Sequence, residues 1–275
     1  MLLRAQGFAN QFEQYEMVSQ LGEGGSGHVM LVRHKLTEEQ FAMKVIEVEG
    51  VGEAGLSQIG REIALQMRCK NCPNVVRFKE QFRHANTHCI VMEHMQGGDL
   101  QQLLAKRNFK SLPVAMAREF THSIGTGLQY LHEHEIMHRD IKLENIMLTA
   151  QEEQKCQAKL ADFGLALKVN QARCEQRAGT VGYAAPEVVE SKPYGTKADI
   201  WSLGCVLYEM CALVPPFRAD DMQGLYKKVI KGKYPRIPDH FSQEMATVIK
   251  FMLQISPSYR PSCEQILALP IVEAL

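Results

Sequence analysis

The sequence has no excess of either charge: its 275 residues carry 31 Lys and Arg against 31 Asp and Glu. A chain so balanced has no overall field to hold it on nucleic acid or on an anionic membrane, so neither is expected as its main partner, although local patches stay open. It also lacks any run of about 18 apolar residues that could span a bilayer. Its first residues, Met1-Leu2-Leu3-Arg4-Ala5-Gln6, do not form the apolar stretch of a secretory signal. The expectation is a soluble intracellular protein, cytoplasmic, with the nucleus left open. The 8 cysteines are scattered along the chain, which suits reduced thiols better than a disulfide scaffold. Cys69-Lys70-Asn71-Cys72 has metal-like or redox-like spacing, but no second pair follows at the interval a zinc site needs, so a structural role is expected. His132, His134 and His138 cluster in sequence without a clear ligand set, which argues against a metal there.

What is present begins with a hydrophobic content of 45%, enough to bury a sizeable core in one bilobal domain or two small ones. Two stretches organise the rest. His138-Arg139-Asp140-Ile141-Lys142-Leu143-Glu144-Asn145 is followed, one short hairpin later, by Asp162-Phe163-Gly164. Alone, the first tripeptide reads as a surface turn and the second as a capped bend. Together and in order they fit H-R-D-x-x-x-x-N followed by D-F-G. Upstream, Gly22-Glu23-Gly24-Gly25-Ser26-Gly27-His28-Val29 fits G-x-G-x-x-G-x-V between two alternating stretches, Tyr15 to Leu21 and Val29 to Val32. Glycines there let backbone amides approach phosphates without a Cβ in the way. A dinucleotide fingerprint would open a helix at this point, whereas Met30-Leu31-Val32 reads as a returning strand.

This ordered set resembles the eukaryotic protein kinases. The resemblance covers about Tyr15 to Leu269 and implies an α+β, bilobal protein-kinase fold. A small antiparallel β-sheet lobe plus one helix is expected over residues 1–95, and a larger, mainly helical lobe over 96–275. The implied cofactors are ATP and Mg²⁺, and the implied partners are protein substrates with Ser or Thr acceptors. Asp140 would take the hydroxyl proton, and Asn145 and Asp162 would hold magnesium, which prefers hard oxygen ligands. Lys142 matches a lysine that serine/threonine kinases aim at the γ-phosphate. In the strand Phe41-Ala42-Met43-Lys44-Val45-Ile46, alternation puts Ala42 and Lys44 on one face, so an adenine on Ala42 would leave Lys44 near the phosphates. The plainer reading of Lys44 is an edge charge that reaches water.

Leu56, Ile59, Ile63 and Met67 recur at helical spacing, and Glu62 among them resembles the glutamate that pairs with the strand lysine. A regulatory partner or dimer at this helix is left open. Gln66 departs from the family's apolar choice at its position, as do Leu143 and Val181 from the commoner proline. Further strands are expected at residues 74–78, 88–93, 146–148 and 158–161, and a buried helix at 115–134. The implied nucleotide contacts are Leu21, Gly22, Gly24, Gly27, Val29, Ala42, Lys44, Met92 as gatekeeper, the backbone groups of Glu93 and Met95, and Met147. Asp99 would cap the next helix, bind the ribose, or both.

Gly179-Thr180-Val181-Gly182-Tyr183-Ala184-Ala185-Pro186-Glu187 resembles the G-T-x-x-Y-x-A-P-E element that forms the peptide shelf. Thr180 there would bond Asp140 and Lys142, Asp199 would hold the H-R-D backbone, and Arg260 would pair with Glu187. No Ser, Thr or Tyr lies between Gly164 and Gly179, so activity without loop phosphorylation is expected, with Glu175 standing in for phosphate near Arg139. Cys174 is a second candidate control point. The segments 207–217 and 230–238 look most like the NIMA-related branch. Two rivals stand beside the kinase reading: a pseudokinase scaffold with little turnover, and a small-molecule phosphotransferase, against which the A-P-E element counts.

Overall fold

Alternating apolar residues build the first of two units, which comprises residues 1–71 and 76–95. The computed structural model describes residues 11–24, 27–107, 110–152, 156–169 and 179–273. Gly25, Ser26, Cys174 and Glu175, singled out above, lie outside the described residues. Strands β1 (Tyr15–Gly24), β2 (Gly27–His34) and β3 (Gln40–Glu47) precede helix α1 (Glu53–Arg68), and β4 (Phe78–His84) and β5 (Thr87–Glu93) follow it. They form a five-stranded sheet in the order β1-β2-β3-β5-β4, antiparallel throughout.

One cluster of the first unit joins Tyr15, Val32, Phe41, Met43, Phe82, Cys89 and Val91. A second joins Ile46, Ile63 and Ile90, with Ile59 packed against it. Period-two alternation sends Met43 to the first and Ile46 to the second. The helix expected from Leu56, Ile59, Ile63 and Met67 forms, but its buried stripe is rotated. Leu56 and Met67 are 37% and 46% exposed, while Glu62, Ile63, Leu65 and Gln66 are buried. The sheet decides this, because the stripe at Ile59, Glu62, Ile63 and Gln66 is the one that meets Ile46, Ile90 and Lys44.

The strand expected at residues 74–78 is displaced to β4. Val75 and Val76 are both buried, which breaks the alternation a half-buried strand needs. Val75 makes only an isolated parallel bridge to Leu160.

The second unit comprises residues 72–75 and 96–275. In chain order it contains β6 (Gly98–Asp99), α2 (Leu100–Lys106), α3 (Val114–Glu133), β7 (Ile136–Met137), β8 (Ile146–Leu148), β9 (Ala158–Leu160) and β10 (Leu167–Lys168). Helices α4 (Pro186–Val189), α5 (Lys197–Ala212), α6 (Met222–Lys231), α7 (Gln243–Met252) and α8 (Cys263–Leu267) complete it. Phe120, Ile124, Leu128 and Leu131 line the buried face of α3, as their spacing requires. Helix α5 is buried on nearly every side, and its Gly204 leaves room for Met252 and Leu253, where a Cβ would intrude. Trp201 on α5 stacks on Phe217 at 5.4 Å.

Two small sheets, β6-β8-β9 and β10-β7, carry the loops between them. Among the described residues, no helix is long and apolar enough to cross a membrane.

Candidate active site

In the first unit the candidate residues begin where β1 turns into β2. Gly27 has φ 129°, and a Cβ there would run into the Val45 carbonyl, so the close approach of β3 demands glycine. Register then sets Val29 opposite Lys44 and Ala42 opposite Met92. Leu21 and Gly22 are exposed on β1, and Gly24 pairs with Gly27. Lys44 and Glu62 are 8% and 5% exposed, and Lys44 Nζ donates to Glu62 Oε1 at 2.6 Å. Lys44 is thus buried and paired, not an edge charge. A pair this dry holds only because its geometry offsets desolvation.

At the end of β5 the Glu93 N–H donates to the Arg77 carbonyl at 3.0 Å. The Glu93 carboxylate accepts from the Arg77 N–H at 2.7 Å. Met95 is 6% exposed.

In the second unit the centre is the loop after β7. Asp140 Oδ1 accepts from the Thr180 N–H at 3.0 Å and the Thr180 hydroxyl at 2.9 Å. Its Oδ2 accepts from Asn145 Nδ2 at 2.9 Å and lies 3.1 Å from Lys142 Nζ. Lys142 Nζ donates to Thr180 Oγ1 at 3.1 Å. The carboxylate is fixed from both sides, and a cation stands beside it.

Asn145 Nδ2 also donates to the Asp140 carbonyl at 2.8 Å, which leaves its amide oxygen as the group able to meet a metal. The Ala161 N–H donates to the Asn145 carbonyl at 2.9 Å, and Asp162 follows directly, exposed and with φ 62°. Asp162 Oδ1 accepts from the Gly164 N–H at 3.1 Å. An exposed carboxylate and an amide oxygen fit magnesium, which keeps water and phosphate among its ligands. Left-handed φ at Arg139 (70°) and at Asp162 costs energy that the surrounding bonds must hold in place.

Asp199 provides much of that hold. Its Oδ2 accepts from the His138 N–H at 3.0 Å and lies 2.9 Å from His132 Nε2, while its Oδ1 accepts from the Arg139 N–H at 2.8 Å. Burial raises the Asp199 carboxyl, but the His132 hydrogen bond, the His132 and His138 charges and the Arg139 N–H outweigh it and hold the group below the ordinary value. His138 is fully buried, its Nε2 3.0 Å from the Ala161 carbonyl.

The sequence reading, which weighed His132 only as a metal ligand, missed its bond to Asp199. It also missed Cys263 Sγ, 3.6 Å from His132 Nδ1. Separations of 67 and 131 residues leave no local pattern that could have found either.

On the far side of the loop, Arg260 grips both oxygens of Glu187 at 2.6 and 2.7 Å. Asp99 caps α2 through the Gln102 N–H at 2.8 Å, and β-pairing sets it opposite Met147. Cys69 and Cys72 are both buried. Among the described residues no group of three or more His, Cys, Asp or Glu is placed to hold a metal.

Residues 15–272 match the family model described as the protein kinase domain. The chain is 35% identical over 260 residues to serine/threonine-protein kinase Nek3 of Oryza sativa subsp. japonica, covering 94% of this chain and 44% of that protein. It is 34% identical over 265 residues to Nek5 of Homo sapiens, covering 96% and 37%. Against Nek4 of Mus musculus it is 35% identical over 256 residues, covering 92% and 32%. The chain therefore spans less than half the length of these curated relatives. With the motifs in order and the family match running across both units, the chain belongs to the protein kinase family, and its similarity runs to the NIMA-related branch.

Proposed function

We propose that this chain is a serine/threonine protein kinase that transfers the γ-phosphoryl group of ATP to Ser or Thr hydroxyls of proteins. The observation that carries the reading is the Asp140 carboxylate, fixed by Thr180 and Asn145 with Lys142 at 3.1 Å. As the acceptor oxygen attacks phosphorus and the bond to the bridging oxygen breaks, Asp140 orients the hydroxyl and takes its proton. Lys142 offsets charge on the transferring oxygens, and Thr180 keeps both side chains in register. Lys44, fixed by Glu62, holds the phosphates of the nucleotide. Asn145 and Asp162 hold magnesium, which when bound neutralises phosphate charge.

Leu21, Gly22, Gly24, Gly27, Val29, Ala42, Met92, Glu93, Met95, Asp99 and Met147 are assigned to the nucleotide. For Glu93 the carbonyl is the assigned group, since its N–H is engaged with Arg77.

The Lys44 to Glu62 pair is closed in this chain by itself, which favours a kinase that needs no partner to seat Glu62. Partial burial above all, with the Glu144 charge adding to it, raises the half-buried Glu209 carboxyl. Glu144 itself is exposed beside the loop, which favours a basic residue near the acceptor. The burial of the described cysteines within helices, strands and their connections suits a reducing, cytoplasmic location. The nucleotide-binding lobe is residues 1–95 and the catalytic and peptide-docking lobe residues 96–275 in this reading.

The test is phosphate transfer from Mg-ATP to a generic basic Ser/Thr protein. It compares the chain as given, the chain after phosphatase treatment, and Asp162→Ala. Transfer that survives phosphatase and disappears in the variant is expected. ATP binding without transfer in the unmutated chain would replace the kinase reading with the scaffold one.

A further inference from the structure

The overall charge balance conceals a local imbalance. From Lys227 to Arg236 the chain reads Lys-Lys-Val-Ile-Lys-Gly-Lys-Tyr-Pro-Arg, with no carboxylate among them. Helix α6 buries Val229 and half-buries Leu225 and Tyr226, so Lys227, Ile230 and Lys231, at i, i+3 and i+4, share its outer face. Gly232 ends the helix in the left-handed region and lies against Ile255, whose Cγ1 would be 2.8 Å from a Cβ there. Ile255 is 49% exposed, and Phe251, one turn earlier at the end of α7, is 46% exposed. Lys250 beside it is exposed as well.

Two cations of this region are engaged: Lys228 with the Arg218 carbonyl and Arg236 with Asp239. Among the described residues, Lys227, Lys231, Lys233 and Lys250 have no carboxylate within ion-pair distance. Exposed lysines thus flank exposed apolar side chains about the contact of Gly232 with Ile255, on a helix that packs against α4 of the peptide-shelf element. Exposed apolar groups rimmed by charge mark interaction sites.

We propose that this surface docks an acidic segment of a partner protein in which carboxylates alternate with large apolar residues. The carboxylates pair with Lys227, Lys231, Lys233 and Lys250, and the apolar residues cover Ile230, Phe251 and Ile255. Exposed ion pairs alone contribute little, so the apolar contacts supply the desolvated centre and the lysines supply orientation and encounter rate. Asp220 and Asp221 precede the helix body in the chain and Asp239 follows it, all exposed. The cationic stretch is therefore short and flanked by carboxylates, which suits a peptide segment better than an extended anionic bilayer. Docking here does not depend on phosphoryl transfer, so the two readings stand or fall separately.

The experiment titrates the full chain into a fluorescently labelled peptide in which Glu pairs alternate with Leu and Phe, followed by anisotropy. Saturable binding is expected, weakening as salt rises. Lys227→Glu/Lys231→Glu/Lys233→Glu should weaken it by about tenfold or more. Phe251→Ser/Ile255→Ser should weaken it severalfold while keeping the salt dependence. If the charge-reversal variant does not fold, Lys227→Gln/Lys231→Gln decides by the same readout.

Three results would overturn the proposal: no saturable binding, equal binding by the lysine variants, or tighter binding to phosphatidylcholine–phosphatidylserine vesicles than to the peptide.

Discussion

In the first unit one ion pair, Lys44 to Glu62, ties a strand to a helix, and both residues sit in regular structure whose register fixes where they point. In the second unit Asp140 and Asp162 stand on loops. Asp140 is fixed by Thr180 and Asn145, and its loop is suspended from Asp199 through the His138 and Arg139 amides. The first arrangement is local and stiff because a sheet and a helix supply the geometry. The second is distributed, with left-handed backbone at Arg139 and Asp162 held by bonds from residues far along the chain. Removing one member should therefore act differently in the two units.

The largest effect is expected at the stiff pair. Lys44→Met leaves the Glu62 carboxylate buried without that cation and should cost about 3–5 kcal/mol in urea unfolding, together with loss of phosphate transfer. Lys44→Met/Glu62→Leu should recover most of the stability and none of the transfer. If the double variant stayed as unstable as the single one, the pair would not be the element that fixes α1 to the sheet.

Next comes the suspended loop. Asp199→Asn should cost about 2–3 kcal/mol, because an amide can face only part of its three donors. The folded Asp199 pKa lies below its unfolded value, which is about 3.9. Its contribution is therefore complete above roughly pH 5 and is lost as pH falls through the unfolded and then the folded value. Unfolding measured across pH should show the wild-type advantage over Asp199→Asn constant near neutrality and shrinking only in acid. An advantage that shrank between pH 6 and 8 would assign the effect to a histidine instead.

The smallest effect is expected at the turn. Gly27→Ala must place a Cβ against the Val45 carbonyl at φ 129° and should cost about 1–3 kcal/mol. ATP affinity measured in the same variant separates strain in the hairpin from loss of a phosphate contact.

Much of this was legible in the sequence, and the reason differs between the units. Alternation in Phe41 to Ile46 and helical spacing in α3 identified elements whose burial the tertiary structure then honoured. The H-R-D-x-x-x-x-N and D-F-G runs were readable because their residues act at short, fixed intervals on one loop and the bend after it. The face of α1 was not readable, since Leu56 and Met67 obey the helical period as well as Ile59 and Ile63 do. Only the position of Ile46, Ile90 and Lys44 chose between them. Nor was the start of β4, because Val75 and Val76 are apolar enough for a strand but are buried side by side.

By itself, then, the sequence determined most element types, the glycine-rich turn, the candidate catalytic carboxylates and the family, all of which depend on neighbours within a few residues. Tertiary structure alone decided which helix face is buried, that His132 and Cys263 stand behind Asp199, and that Gly232, between Lys231 and Lys233, lies against Ile255. Those outcomes depend on contacts between residues far apart in sequence, whose free energy appears only once the chain has closed the loops that separate them.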